Sequence, residues 1–372
     1  MKKIFFIFLN ICNLFALDCF AQQIDALKQP LIIAGSENEK SCCPAGSCCT
    51  GSQTPIGVMT DHVHGKGEWM LSYSYMKMNM AGNRQGTKKI SNDTLFDKYY
   101  YMMAPQTMQM EMHMAMLMYG VSNRFTLMAM VGYTTNNMSM VMPGAMIMPG
   151  MKDPSSSMYS TTSGINDTKI YGLYNLSTKE NYRFVASLGL NIPTGTIKAS
   201  GNTALAVNGR QAYDMQMGTG SYSIMPDITY VRKINKFSFG VNVGEDVKLD
   251  NNNAAYKVGN VYHGTAWASY QLVSFVSGSL RIEHVISDKI NGSDSLISIA
   301  YPNTYVYDPT TEVKNYGGNR SCIYAGLNFY LNKPVIKNFL LQVEYGVPFA
   351  ENLNGIQMSA KDNIQVGLQY KF

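Results

Sequence analysis

Met108-Gln109-Met110-Glu111-Met112-His113-Met114-Ala115-Met116-Leu117-Met118 carries methionine at every second position. A period of two is the period of a β-strand, so the six sulfurs share one face of one strand; a helix would scatter them around its circumference. Of the 27 methionines in the chain, 21 fall between Met70 and Met158, so the enrichment is local. The stretches on either side alternate in the same way. From Gly67 to Met80, Trp69, Leu71, Tyr73 and Tyr75 form an apolar face, and Met70, Met76, Met78 and Met80 lie opposite. From Phe125 to Tyr133, Phe125, Leu127, Ala129, Val131 and Tyr133 form one face, with Thr126, Met128 and Met130 on the other.

The alternation continues to the end of the chain, where Ile364, Val366, Leu368, Tyr370 and Phe372 share a face. Short turn sequences near Ser122-Asn123, Lys179–Asn181, Ile234–Lys236 and Ser274 alternate with long polar stretches near 81–104, 142–163, 196–217, 289–320 and 349–361. Short turns at one end and long loops at the other are the signature of a bacterial transmembrane barrel, which also needs an even strand number. The pattern therefore predicts an all-β chain, an antiparallel transmembrane outer-membrane β-barrel of about 12 strands over residues 67–372, facing the lipid bilayer of a Gram-negative cell. A soluble β-sandwich explains neither the one-sided loops nor the terminal aromatic. Charges opposite the apolar faces, among them Arg183, Asp227, Asp246, Arg281, Glu283 and Glu344, then point into the lumen, because lipid would not solvate them.

Composition agrees with an envelope protein. The 372 residues are 46% hydrophobic and 15% charged, with a formal net charge of +5. That mild excess, without a basic stripe, argues against nucleic acid as a partner. Lys2 and Lys3, the apolar run from Ile4 to Phe15, and Ala21 before Gln22 read as a signal peptide over residues 1–21. No later apolar run reaches the roughly 18–20 residues of a membrane-spanning helix. Residues 22–66 read as a periplasmic N-terminal arm. It holds Cys42, Cys43, Cys48 and Cys49 around a Pro-Ala-Gly turn, and then His62 and His64 on one side of an extended segment. Two chemistries fit the cysteines: disulfides in an oxidising compartment, or thiolate ligation of Cu(I) or Zn(II). The histidines fit an exposed polar turn or a metal-capture patch.

Several motifs carry a family likeness. The run from Pro55 to His64, Gly67-Glu68-Trp69-Met70, Gly82-Asn83-Arg84, Met110–Met114 and the ending Val366–Phe372 resemble outer-membrane transporters grouped with the phenol meta-degradation pathway proteins. The resemblance spans about residues 55–372. It implies a signal-bearing β-barrel with a transport role, found beside copper-handling or aromatic-degradation functions. It implies no catalytic residues and leaves the cysteine cluster outside.

On the first and third strands the aromatic faces go to lipid, so Met70, Met76, Met78, Met80, Met128 and Met130 are expected in the lumen. The central strand poses a conflict, because its methionine-free face holds Glu111 and His113. A carboxylate and an imidazole near the bilayer midplane cost kilocalories, whereas methionine does not. The expectation is that this strand turns its methionines outward and Glu111 and His113 inward. His113, Glu111, Met76, Met78, Met128 and Met130 would then form a thioether–imidazole set suited to copper as bound metal. Methionine packing without metal is the bland alternative. The functional expectations are a channel or transporter for a small solute or metal ion, or a copper-binding, sequestering envelope protein without transport. A hydrolase would need a serine beside an outward histidine; His284 is on such a face, but the sequence assigns it no partner.

Overall fold

The computed structural model describes residues 54–142, 157–177, 179, 181–203, 208–297, 308–333 and 336–372. The signal-peptide stretch and the four arm cysteines lie outside them. Eleven strands close the barrel: β1 (Trp69–Gly86), β2 (Ala104–Ser122), β3 (Phe125–Val141), β4 (Thr168–Asn175), β5 (Tyr182–Ile192), β6 (Ser223–Ile234), β7 (Phe237–Lys248), β8 (Val261–Val273), β9 (Val276–Ser287), β10 (Gly318–Lys333) and β11 (Ile336–Lys371). Each is antiparallel to its neighbour in sequence. β11 closes the ring on β1, with Met70 opposite Lys371 and Gly86 opposite Leu353. Closure leaves no open edge, which is what allows a sheet to sit in lipid.

Two strands pair outside this ring: Lys88–Ile90 beside β1, and Ser157–Ile165 beside the upper half of β3. The second is the outer part of the pass that β4 completes; Asn166 and Asp167 interrupt it. β11 is itself a hairpin. Its first half pairs with β10, from Lys333–Ile336 to Gly318–Leu353, and its second half pairs with β1. The reversal falls at Gly355, whose φ of +61° suits glycine. The wall thus makes twelve passes, the number expected. The long loop expected at 349–361 is instead strand: the polar residues there alternate with Leu353, Ile356 and Met358, which are buried inside.

The residues facing outward are mostly apolar, as a lipid-facing wall requires. Leu71, Leu188, Ile228, Leu280 and Tyr345 are each at least half exposed. The inward positions are buried and mostly polar, including Thr126, Ser187, Thr229, Asn242, Thr265, Asn328 and Gln342. The core of the protein is therefore its lumen. Three inward aromatics each lie over a glycine directly across the strand pair: Tyr171 over Gly189, Trp267 over Gly240 and Tyr324 over Gly346. A Cβ on Gly240 would sit 2.1 Å from the Trp267 ring, so the missing side chain is the space the indole occupies.

Candidate functional site

The lower lumen, at the end with the short turns, is crossed by residues 54–66. The described end of the segment expected as a periplasmic arm thus lies inside the barrel. The reason is its polar chemistry, which complements the inward wall. Asn328 and Gln342 donate to the Thr54 carbonyl at 3.1 and 3.0 Å. Val58 packs with Val231 and Trp267. Farther along, the Thr60 hydroxyl donates to Asp227 at 2.7 Å, and Asp61 faces Arg183 at 3.5 Å. The His64 amide then donates to Thr126 at 2.8 Å. The segment contributes no strand to the sheet; we call it the plug.

Asp61 is buried, which by itself would raise its pKa. His62, Arg183 and a hydrogen bond from Thr54 outweigh that and hold the carboxyl well below the usual carboxylate range. His62 Nδ1 lies 2.6 Å from the Asp61 carboxylate. His64, two residues on, is 2% exposed, and neither of its ring nitrogens has a hydrogen-bond partner. Burial and then the neighbouring His62 lower its pKa to about 3, so its ring is neutral.

Against the plug stands a wall of thioethers. Met70 lies opposite Met118 and Met118 opposite Met128; Met80 lies opposite Met108 and Met108 opposite Met138. Residues directly opposite in antiparallel strands share a face. The buried Met70, Met118 and Met128 therefore set the inward face of all three strands. The expectation for the central strand is overturned: Met108, Met116 and Met118 point into the lumen, while Glu111 and His113 point outward. The two polar groups are accommodated because each finds a partner on β1. Lys77 lies 3.2 Å from Glu111, and the Tyr73 hydroxyl shares a 2.6 Å hydrogen bond with His113 Nδ1. Met76, Met78, Met128 and Met130 are on the inward face as expected. Since His113 and Glu111 are not, the six residues do not form one ligand set.

Two methionine clusters result. The lower joins Met70, Met116, Met118, Met128 and Met130 with Val63 of the plug, and Met59 and Met114 pack against it. The upper joins Met103, Met108, Met138, Met140, Met215 and Met358. Met215 belongs to a short 3-10 turn, Tyr213–Met215, in a cap formed by the long loops. Tyr213 packs edge-on against Tyr256 and Tyr316, with Ile290 and Ile297 nearby. Asp167, at the interrupted pass, accepts from the Gly195 and Thr219 amides at 3.0 Å each and ties the cap to the wall.

The expected inward charges find partners along the inner wall. Arg281 makes a two-point contact with Glu344 at 2.9 and 2.7 Å, and Tyr324 stacks 3.7 Å from its guanidinium. Lys248 lies 2.6 Å from Asp246. Among the described residues, no group of three or more His, Cys, Asp and Glu side chains is arranged to hold a metal. Sequence reasoning left Met59, Met114 and Met116 out of its candidate set. The signal for Met114 and Met116 was the even parity they share with Met70; Met59 offered none. On the outer surface, His284 Nδ1 lies 2.8 Å from Ser321 Oγ, a partner the sequence had not revealed.

Residues 149–298 match the family described as Putative MetA-pathway of phenol degradation. The resemblance read from the sequence is borne out by this match, although the matched stretch lies between the motifs that suggested it. No curated protein matches the chain. Among solved structures, an outer membrane channel from Pseudomonas putida F1 is similar over 84% of this chain and 98% of its own, at 12% identity and a TM-score of 0.54. The CymD monoaromatic hydrocarbon channel is similar over 82% of this chain and 88% of its own, at 8% identity and a TM-score of 0.36. The likeness to the first is one of fold: the chain has the fold of an outer-membrane barrel.

Proposed function

We propose that this barrel is a channel, not an enzyme, that passes a small solute or a metal ion and is closed at rest by its own residues 54–66. The observation that carries the reading is how the plug is held. It crosses the lumen on side-chain hydrogen bonds and small apolar contacts, with no strand pairing to the wall. Each such bond has a net worth of about 1 kcal/mol, so the plug can leave without opening the sheet. The likeness to an outer membrane channel of known fold supports the reading. Reconstitution into planar bilayers tests it. The expected result is low, flickering conductance in the wild type and larger, longer openings when plug contacts are cut. A folded barrel that passes neither ions nor small solutes, with the plug contacts intact or cut, would end the proposal.

The inward methionine wall favours a second reading, an envelope protein that sequesters copper without transport. Thioethers prefer soft metals. Metal uptake by the purified protein without metal flux through reconstituted vesicles would select this reading over the first.

A further inference from the structure

A small cavity lies where the plug meets the thioether wall. Met59 and His62 reach it from the plug, and Met70, Met114 and Met116 reach it from β1 and β2. Three observations give it ligand chemistry. First, the Asp61 carboxylate on His62 Nδ1, at 2.6 Å, favours the tautomer with its proton there and the lone pair on Nε2. A carboxylate behind the imidazole is the usual support of a metal-binding histidine. Asp61 is in turn held by the Thr54 hydroxyl at 2.7 Å and faces Arg183, so the supporting carboxylate is itself anchored.

Second, His64 does not itself line the cavity but stands beside His62, with ring centroids 4.9 Å apart. It is almost fully buried, and both its nitrogens lack hydrogen-bond partners. Glu68, 3.9 Å from Nδ1, is beyond hydrogen-bond reach. A buried imidazole without partners is costly unless something else uses its lone pair. Third, the cavity is lined by Ser72, Ser74 and Gln369 as well as by four thioethers, which are neutral and soft. They suit Cu(I) and offer little to Mg or Ca, which take oxygen ligands.

We propose that this cavity binds a soft monovalent cation, Cu(I) with Ag(I) as its surrogate, through His62 Nε2 and thioethers from Met59, Met70, Met114 and Met116, with His64 as the adjacent imidazole. The site deepens the reading of the lumen as a path for a small solute or metal ion, but binding does not require conduction. Its ligands come from both plug and wall. A bound ion therefore pins the plug, and the metal that binds there also holds the channel shut.

The test uses the full chain carrying Cys42→Ser, Cys43→Ser, Cys48→Ser and Cys49→Ser, folded in detergent and titrated with Cu(I) against a chromophoric chelator. We expect one tight site, with X-ray absorption showing both sulfur and imidazole nitrogen around the metal. Met70→Leu with Met116→Leu, which keeps apolar volume, should weaken binding at least tenfold. Met108→Leu with Met138→Leu, in the upper cluster, should leave it unchanged. Equal affinity in the lower-cluster variant, or an all-sulfur shell, would overturn the site. If the leucine variant does not fold, loss of the nitrogen signal in a folded His62→Gln, His64→Gln variant decides the question; its persistence overturns the site. Conductance is measured separately on the same samples. A channel that conducts but binds no Cu(I) defeats this site and spares the channel reading; binding without conductance does the reverse.

Discussion

The Thr60 hydroxyl donates to the Asp227 carboxylate at 2.7 Å, joining residues 167 positions apart. Around this bond Asn242 donates to Asp227 at 2.8 Å and to Thr229 at 2.8 Å, and His263 Nε2 lies 3.2 Å from the same carboxylate. The knot ties the plug to the inner wall. Thr60→Val keeps the shape and removes the donor, while Asn242 and His263 still serve Asp227. The expected cost is about 1 kcal/mol, and it falls on the plug, not on the sheet. Planar-bilayer recordings should show more frequent openings, and the heat-modifiable gel shift of the folded barrel should be unchanged. Closed-state behaviour identical to wild type would show that this bond does not hold the plug.

Arg281 and Glu344 are each 1% exposed and share a two-point ion pair. Removing one partner leaves the other charge buried, which typically costs about 3–5 kcal/mol, whereas replacing both with apolar residues of similar volume is often neutral. Arg281→Met alone should sharply lower the unfolding midpoint in denaturant, and so should Glu344→Leu alone. The double variant Arg281→Met, Glu344→Leu should recover much of the loss. Strictly additive single and double changes would show that the pair is not coupled.

How much of this was legible beforehand turned on parity. The twelve passes, the alternating faces and the inward charges could be read locally, because a strand's own period shows which residues lie together. The direction of the central methionine strand could not. Both its faces offer something lipid tolerates poorly or water needs little, and the local rule chose wrongly by treating Glu111 and His113 as unpartnered. Their partners, Lys77 and Tyr73, come from β1, and only strand register reveals them. The plug was hidden for a similar reason. Pro55–His64 has no period that marks burial, and its place is set by wall groups such as Asn328, Gln342 and Asp227, distant in sequence.

Register also shapes the lumen through Gly240, which lies directly across from Trp267. The indole is buried and packs with Val58 of the plug and Val231 of the wall. Gly240→Ala would place a methyl group within the ring's volume. Overpacking of this kind costs about 1–3 kcal/mol. The indole must shift towards the plug, so the expected signs are a lower unfolding midpoint and a changed Trp267 fluorescence maximum. With two tryptophans in the chain, the comparison is made in a Trp69→Phe background. An unchanged spectrum and midpoint would mean the ring has room the structure does not show.

Asp214 gives the cap a pH dependence with a defined sign. It lies in the turn Tyr213–Met215, and its Oδ1 has no hydrogen-bond partner. Burial, and then the nearby Asp308, raise its pKa to about 7 from an ordinary 3.8. A raised carboxyl pKa means the folded cap keeps a proton that the opened cap releases. Its stabilising contribution is therefore complete below the unfolded pKa and is lost as pH rises from about 4 through about 7. Hydrogen exchange of the amides at 209–217, corrected for intrinsic rates, should show strong protection at pH 5 and weaker protection at pH 8. Asp214→Asn, which cannot ionise, should hold the protection level across that range. A wild type equally protected at both pH values would show that Asp214 is already ionised in the closed cap, and that another group bears the cost of its burial.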